Sequence, residues 1–279
     1  MTIDMSTTRT DLALESVQAA RSGAETGTIP GVRSRERTRE GYAVTDIRVE
    51  DEDGAQALGK PVGRYVTVDL GPYFRREADY FDRGVRCLAG ELAALLPEGP
   101  VLAAGLGNRA MTCDAVGPAS IDNLLVTRHM IRAMPRQFAD FRPVAAVCPG
   151  VLARTGLEAL ELVRGAVERV RPAAVIAVDA LAARDSARLC ATVQLSDTGL
   201  VPGSGVGNRR SALDRGTLGV PVIAVGIPTV VDADPRAGLF LTPRDIDQRI
   251  RELGRLLGYG ITLALQPSLT AADVTALLG

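Results

Sequence analysis

The fold of this chain is decided by the stretch Val101–Pro118, which reads VLAAGLGNRAMTCDAVGP. Its first four residues, 101–104, are apolar and predict a short buried strand. Gly105 and Gly107 follow, and the absence of a side chain at these positions permits the turn that ends a strand. Asp114 therefore lies on a loop that leaves the carboxyl end of the predicted strand. In open α/β sheets this edge is where ligands bind.

A second stretch, Pro172–Arg184, repeats this arrangement with the sequence PAAVIAVDALAAR. Residues 174–178 are apolar and partly β-branched, which predicts another buried strand, and this run ends in Asp179. If the two strands are parallel neighbours, Asp114 and Asp179 converge at one rim. Two carboxylates in one site cannot both ionise cheaply, so one keeps a proton and the other can activate water. The pair predicts acid–base chemistry suited to peptide hydrolysis, and the alternative is that each aspartate only caps a helix.

The composition limits the class of protein. The chain has 279 residues, of which 46% are hydrophobic, and its mean hydropathy of +0.12 fits one α/β domain. Its net charge is −1 and its pI is about 6.0, so no overall basic field attracts nucleic acid or an anionic membrane. Lys60 is the only lysine among 32 basic residues. We therefore expect neither a nucleic-acid partner nor a membrane partner.

The cysteines and the histidine give little support for a metal or cofactor site. The four cysteines are scattered and form no C-x-x-C pair, which favours free thiols in a reducing cytoplasm. His129 is the only histidine, so a histidine-rich metal site is not expected, and no G-x-S-x-G motif accompanies it. No apolar run reaches the ~18 residues of a membrane span, and the start of the chain lacks the apolar region of a signal peptide. We predict a cytoplasmic protein without a metal or cofactor.

Alternating and periodic patterns predict the remaining architecture. Residues 43–49 and 63–70 alternate between apolar and polar side chains, so they predict an antiparallel edge near the N-terminus. From residue 74 onward, helical periodicity alternates with buried strands. The prediction is an α/β fold with a mostly parallel sheet covered by helices on both faces. The arginine-rich run Arg33–Arg39 is expected to be an exposed connection. The net charge and the lack of interleaved aromatic residues favour a solvated surface over a nucleic-acid patch.

A glycine-rich loop is predicted at Leu200–Arg210, which has the sequence LVPGSGVGNRR. Such loops cradle phosphate in some folds, but this one lacks the G-x-x-x-x-G-K-[ST] pattern. We therefore expect an ordinary tight turn at the edge of the sheet. At the start of the chain, residues 1–10 are small and polar, which predicts a poorly ordered or removable segment.

Several blocks of this sequence, in this order, resemble the germination protease (spore protease) family. The matching blocks include GLGNRAMTCDAVGP, VTRHM, FRPVAAVCPGVLARTGLE, VIAVDALAAR, QLSDTGLVPGSGVGNRR and LGVPVIAVGIPTVVDA. The resemblance runs from RTDLALE at Arg9 to near the C-terminus. It departs from the family at Cys113, where proline is usual, and in a shortened segment between Asp232 and Leu241.

The resemblance implies an endopeptidase of the spore cytoplasm that cuts small acid-soluble spore proteins early in germination. It also implies an atypical aspartic peptidase that requires no metal and assembles as a homotetramer. The implied fold is phosphorylase/hydrolase-like, similar to hydrogenase-maturation endopeptidases. The two functional aspartates of the family fall on Asp114 and Asp179. Within the matched blocks, Asn108, Arg128 and His129 are the candidate site-lining residues.

The resemblance also implies a zymogen, whose processing site falls on the bond between Asp11 and Leu12. These residues lie in the run Arg9–Glu15, RTDLALE, where an acidic residue precedes a Leu–Ala pair. We therefore predict a propeptide at residues 1–11 and a single α/β peptidase domain at residues 12–279. The alternative is that Asp11 only caps a helix that begins here.

Three other classes of protein remain open. The motifs GLGN at 105–108 and TRH at 127–129 also resemble peptidyl-tRNA hydrolase, an esterase in which these motifs lie closer together and a basic RNA surface is expected. A nickel-dependent endopeptidase of the hydrogenase-maturation type would need His129 beside the carboxylates. A non-catalytic α/β binding module would depend on neither aspartate.

Overall fold

The computed structural model describes residues 10–23, 28–207, 210–234 and 238–279. Within them, the apolar runs of the sequence form the centre of one nine-stranded mixed sheet. The strands are β1 Val32–Arg39, β2 Tyr42–Val49, β3 Gly63–Asp69, β4 Val101–Leu106, β5 Val144–Gly150, β6 Ala174–Ala183, β7 Thr192–Ser196, β8 Val222–Asp234 and β9 Leu239–Leu241. Their order across the sheet is β1-β2-β3-β7-β8-β6-β4-β5, and β9 pairs with β8.

The parallel part of the sheet comprises the four strands β8, β6, β4 and β5. The strands β1, β2, β3 and β7 pair antiparallel with their neighbours, and both β7 and β9 run antiparallel to β8. The predicted α/β class and the antiparallel N-terminal edge are confirmed, but the sheet is less parallel than predicted. The reason lies in residues 184–191, which join β6 to β7. A parallel crossover needs about a dozen residues or more, so this short connection returns the chain in the opposite direction.

Helices cover both faces of the sheet, as predicted. They are α1 Ala13–Gly23, α2 Glu52–Leu58, α3 Gly71–Phe74, α4 Tyr80–Ala93, α5 Val116–Asp122, α6 Arg128–Ala133, α7 Leu152–Thr155, α8 Ala159–Val170, α9 Arg215–Leu218, α10 Ile246–Leu265 and α11 Ala271–Leu278. On one face, α4 and α10 bury Val85 and Leu253 in the same core as Ile176 of β6. On the other face, Val163 of α8 shares a core with Leu102 of β4. No helix in the described ranges is both long enough and apolar enough to cross a membrane.

The arginine-rich run is an edge strand and not the exposed connection that the sequence predicted. β1 pairs with β2 along its whole length in antiparallel register. Charged side chains on an edge strand discourage pairing with other chains. Arg37 also forms ion pairs with Asp46 of β2 and Glu91 of α4. The strand has almost no apolar residues, so no alternation of apolar and polar side chains marks it in the sequence.

The first described residues dock against the end of β6. Leu12 is fully buried in an apolar cluster there. The buried carboxylate of Glu15 accepts hydrogen bonds from the backbone N–H groups of Arg184, at 2.8 Å, and Asp185, at 2.9 Å. The helix that the sequence predicts after this point is α1. Residues 1–9 of the predicted propeptide lie outside the described residues.

Helix α5 lies directly on the ends of two strands because it carries a glycine at Gly117. A Cβ atom there would come within 2.2 Å of the carbonyl oxygen of Leu106 and within 2.6 Å of that of Val178. Only a residue without a side chain permits this approach to β4 and β6. The loop before α5, which includes Asp114, is held at the strand ends by this contact.

We predict that Gly117→Ala destabilises the protein by about 1–3 kcal/mol, the usual cost of inserting an extra carbon into close-packed structure. The measurement is urea unfolding followed by circular dichroism. Gly165→Ala is the matched control, because an added Cβ at Gly165 in α8 would meet nothing within 4 Å. Alanine at this control position should stabilise the protein by about 0.5–1 kcal/mol. Equal free energies of unfolding for the two variants would contradict the role assigned to Gly117.

Candidate active site

A cavity of about 710 Å³ lies beside β6, β7 and β8. Asp114, on the loop after β4, and Asp179, on β6, both line it. Other parts of its wall come from Thr10 and Asp11 near the N-terminus, from Lys60 and from the glycine-rich loop after β7. The structure therefore brings the two candidate catalytic carboxyl groups to one cavity.

Asp179 lies inside β6, although the sequence predicted a strand end at this residue. β4 pairs with β6 only as far as Gly105 opposite Val178, and Asp179 is the next residue. β6 continues to Ala183 because β8 still pairs with it on the other side. The aspartate consequently lies at the point where β4 leaves β6 and opens space beside it.

The carboxyl group of Asp179 is almost fully buried, with 6% of the residue exposed. Burial is the main cause that raises its pKa well above the usual range, and the charge of Asp114 raises it further. A hydrogen bond of 2.9 Å from the backbone N–H of Ala180 to Oδ1 opposes this shift, and the charge of Asp11 adds a smaller increase. Asp179 is therefore the member of the pair that retains a proton.

Asp114 is half-buried at the end of a short 3₁₀ turn, Thr112–Asp114. Its Oδ2 accepts a hydrogen bond of 2.9 Å from the backbone N–H of Asn108. The same N–H group also donates to the Asp114 carbonyl oxygen at 3.0 Å. Burial raises the pKa of Asp114, and the hydrogen bond from Asn108 lowers it. Because Asp114 is less buried than its partner and has a donor for its charged form, it is the member that ionises first.

The turn that carries Asp114 depends on a glycine and on a hydroxyl group. Gly107 has a φ of +108°, and an added Cβ would lie 2.0 Å from the carbonyl oxygen of Asp114. The hydroxyl of Thr229 on β8 donates a hydrogen bond of 2.6 Å to the carbonyl oxygen of Cys113. These contacts hold the turn on both sides although Cys113 replaces the proline that is usual in the family it resembles.

The cavity also contains polar residues that the sequence patterns do not mark as site residues. These residues are Lys60, Gln194 and Ser204. The carboxylate of Asp11 lies among them, because Oδ1 accepts a hydrogen bond from the Ser204 hydroxyl at 2.7 Å and Oδ2 accepts one from the Ala182 N–H at 2.9 Å. The signals in the sequence were the single lysine and the glycine-rich loop. Neither signal indicates that the partner is the N-terminal segment.

The remaining candidate residues contribute little to the cavity. The side chain of Asn108 accepts a hydrogen bond of 3.0 Å from the backbone N–H of Ala110, so its contact with Asp114 comes from its backbone. Arg128 and His129 lie on α6, which contributes no residue to the described lining, and His129 is exposed. Within the described ranges, no three His, Cys, Asp or Glu residues are grouped so that they could hold a metal ion.

This arrangement places two carboxyl groups in one cavity, and burial makes Asp179 hold its proton to a higher pH than Asp114. An ionised carboxylate can take a proton from water, and a protonated carboxyl group can give one to a departing amine. Thr10 and Asp11 form part of the wall of this cavity. Its chemistry suits hydrolysis of a peptide bond.

Several known proteins are similar to this chain. A germination protease of Caldanaerobacter subterraneus subsp. tengcongensis is 40% identical, and the alignment covers 97% of this chain and 98% of that protein. A germination protease of Clostridium perfringens is 36% identical, and the alignment covers 97% of this chain and 98% of that protein. A germination protease of Bacillus cytotoxicus is 40% identical, and the alignment covers 95% of this chain and 76% of that protein. The solved structure of HycI, a [NiFe] hydrogenase maturation protease from Thermococcus kodakarensis KOD1, covers 63% of this chain and 99% of its own, with 17% identity and a TM-score of 0.38.

A family model described as germination protease matches residues 9–238, which is most of the chain. The matched range includes both aspartates of the cavity, Asp114 and Asp179, and also the docked Asp11. Since the relatives align over nearly its whole length as well, the chain belongs to the germination protease family.

Proposed function

We propose that this protein is an endopeptidase of the spore cytoplasm that starts the degradation of small acid-soluble spore proteins during germination. Its membership of the germination protease family supports a peptidase. The observation that carries the proposal is the pair Asp114 and Asp179, two carboxyl groups with raised pKa values on one cavity. This pair is the proposed catalyst, so the enzyme is an aspartic peptidase that needs neither a metal nor a cofactor.

In the proposed reaction, the Asp114 carboxylate takes a proton from a water molecule while the water oxygen attacks the carbonyl carbon of the substrate. The carbonyl oxygen becomes an oxyanion, and the carbon–nitrogen bond then breaks. The protonated Asp179 gives its proton to the departing amine nitrogen. Transfer of one proton from Asp114 to Asp179 restores the starting state of the pair.

The proposal includes a zymogen and an assembly. Residues 1–11 are the proposed propeptide, residues 12–279 form the peptidase domain, and the enzyme cuts its own bond between Asp11 and Leu12. The position of Asp11 in the same cavity as the aspartate pair supports this. The proposed assembly is a homotetramer without a nucleic-acid partner, and it rests on the resemblance of the sequence to the family.

Replacing either aspartate by asparagine should lower the rate of substrate cleavage by about 10²–10⁴-fold, the usual contribution of a positioned acid or base. The amides in Asp114→Asn and Asp179→Asn keep the shape of the side chain but cannot exchange the proton. Cleavage of an acid-soluble spore protein is followed by mass spectrometry. Asp140→Asn, at an exposed position, is the matched control and should retain the full rate. Near-wild-type turnover in either cavity variant would exclude the pair as the catalyst.

The raised pKa of Asp179 also predicts how stability depends on pH. At neutral pH, folding must either bury the charge of this carboxylate or take up a proton, and both oppose folding. Asp179→Asn should therefore raise Tm at neutral pH by about 2–4 °C for each kcal/mol of penalty removed. The gain should shrink as the pH falls and disappear below about 4, where the carboxyl group becomes protonated in the unfolded chain as well. A gain in Tm that is the same at neutral and acidic pH would contradict this interpretation.

Self-processing predicts a new N-terminus at Leu12 when the full chain is incubated at slightly acidic pH. Mild acid favours the state in which the aspartate pair holds one proton. N-terminal sequencing and intact mass measure the product. The new terminus should form in Asp140→Asn and be absent in Asp179→Asn. If it forms at the same rate in Asp179→Asn, another protease removes the segment.

A further inference from the structure

Helix α1 begins directly after the bond between Asp11 and Leu12. The carbonyl oxygen of Leu12 accepts the first helical hydrogen bond, from the backbone N–H of Ser16 at 3.2 Å, so Leu12 is the N-cap residue. Glu15 is then the third residue of the helix, the position from which a carboxylate can reach back to the N–H group of the N-cap. A cut before Leu12 would therefore place its new amino group beside Glu15.

One hydroxyl group separates the Leu12 nitrogen from the Glu15 carboxylate in the full chain. The backbone N–H of Leu12 donates a hydrogen bond of 3.0 Å to Oγ1 of Thr10. The same hydroxyl donates a hydrogen bond to Oε2 of Glu15. Thr10 thus stands in the place of a direct bond between the two groups. It lies on the N-terminal side of the bond that the proposed processing cuts, so it departs with the propeptide.

Glu15 carries a buried carboxylate whose donors are uncharged. Only 3% of the residue is exposed. Among the described residues, its hydrogen-bond donors are the Thr10 hydroxyl and the backbone N–H groups of Arg184 and Asp185, which follow β6. A buried carboxylate is costly unless donors or a cation satisfy it, and departure of Thr10 removes one donor. A new ammonium group at the start of a helix likewise needs a negative charge in the first turn.

The contacts of the residues after the cut bond keep the new terminus at this place. The Leu12 side chain is fully buried in a cluster with Ala183 and Val231. The backbone N–H of Ala13 donates a hydrogen bond of 2.7 Å to Oε1 of Gln194. None of these residues belongs to the propeptide, so the contacts remain when it departs. Moving the amino group into solvent would bring the apolar Leu12 side chain into water.

We infer that Glu15 is the binding site for the α-ammonium group of the processed chain, and that this ion pair replaces the hydrogen bond from Thr10. The inference rests on the proposed cut between Asp11 and Leu12 and goes beyond it, because it assigns a partner to the new terminus. When the carbon–nitrogen bond breaks, the Leu12 nitrogen receives the proton of Asp179. The new Asp11 carboxyl group releases a second proton, which completes the ammonium group.

This ion pair connects the N-terminus of the processed chain to the end of β6. In the full chain, Asp11 holds this strand by two hydrogen bonds, from the Ala182 N–H to Oδ2 at 2.9 Å and from its own N–H to the Ala182 carbonyl oxygen at 3.0 Å. Both bonds are lost when Asp11 departs. The N–H groups of Arg184 and Asp185 remain bonded to Glu15, whose charge the ammonium group then compensates. Cleavage thus exchanges one attachment of β6 for another.

The ion pair is tested by the reactivity of the amines in a chain that an added protease has cut. The four residues before Leu12 are replaced by Ile-Glu-Gly-Arg, so factor Xa creates the Leu12 terminus whether or not the chain can cut itself. Acetic anhydride at neutral pH then labels two amines of the cut chain, the Leu12 terminus and Lys60, the only lysine. Mass spectrometry measures the two rates separately. Glu15→Gln should speed acetylation of the terminus at least about tenfold, because a nearby negative charge keeps an ammonium group protonated. The exposed Glu168→Gln is the matched control and should not change the rate.

Lys60 is the competitor for the carboxylate. Burial lowers the pKa of Lys60, and the charges of Asp11 and Glu15 oppose this shift. If Glu15→Gln speeds acetylation of Lys60 alone, this lysine and not the terminus is the partner of Glu15, and the inference is overturned. Equal rates for the terminus in the wild-type and Glu15→Gln sequences would overturn it too. One extra glycine before Leu12 moves the ammonium group away without altering Glu15, so this chain tests the inference even if Glu15→Gln folds poorly. Its terminus should react as fast as that of Glu15→Gln, and a rate as slow as that of the Leu12 terminus would contradict the ion pair.

Thermal unfolding separates the ion pair from the other bonds of Glu15. The bonds from the N–H groups of Arg184 and Asp185 are present before and after factor Xa acts, whereas the ammonium group is present only afterwards. Glu15→Gln should therefore lower Tm by about 3–6 °C more in the cut chain than in the uncut chain. The same loss of Tm in both chains would mean that no ion pair forms.

These experiments separate the inference from the proposed function. If the natural chain does not cut itself but the factor Xa product responds to Glu15→Gln, the proposed self-processing is wrong and the ammonium site stands. If the natural chain produces the Leu12 terminus and this amine reacts at the same rate with and without the Glu15 carboxylate, self-processing stands and the ammonium site is wrong.

Discussion

The burial of the Asp179 carboxyl group is the constraint on which the site depends. The pKa of this carboxyl group, which lies inside the sheet, is raised well above the usual range, first because burial disfavours its charged form and second because the charge of Asp114 repels it. Among the described residues, one backbone N–H group, that of Ala180, donates a hydrogen bond to Asp179, and this bond does not cancel these effects. Asp114, on a more exposed turn and bonded to the Asn108 N–H, keeps the easier ionisation. The difference between two environments, and not a difference between two residue types, separates the acid from the base.

Backbone packing creates those two environments. The cavity lies beside Asp179, at the point where β4 stops pairing with β6. β6 continues past this point because it still pairs with β8. The turn that carries Asp114 lies against these strand ends because Gly117 and Gly107 have no side chains, which permits close contact between backbone segments. Both carboxyl groups are therefore positioned by strand pairing and glycine contacts, which move less than a loop held by side chains alone.

The sequence predicted the parts of this structure that have a local pattern. The apolar runs before Asp114 and Asp179 predicted two neighbouring parallel strands, which β4 and β6 are. The run Arg33–Arg39 could not be recognised as a strand. Its residues are all polar, so the sequence shows no alternation of apolar and polar side chains there. The hydrogen bonds from Lys60 and Gln194 to the Asp11 carbonyl oxygen could not be predicted either, since they span 49 and 183 residues of sequence.

Charge would favour release of the proposed propeptide after the proposed cleavage. Before the proposed cleavage, the negative charge of the Asp11 side chain lies in the same cavity as two other carboxyl groups. The positive charge of Lys60 and backbone N–H donors offset it. Cleavage adds a second carboxylate at Asp11, so the repulsion within the cavity rises while Lys60 still supplies one positive charge. The new ammonium group at Leu12 remains on the enzyme, because the Leu12 side chain is fully buried. In the proposed cleavage the Asp11 end of the departing segment carries two negative charges, and the cavity keeps the positive charge of Lys60.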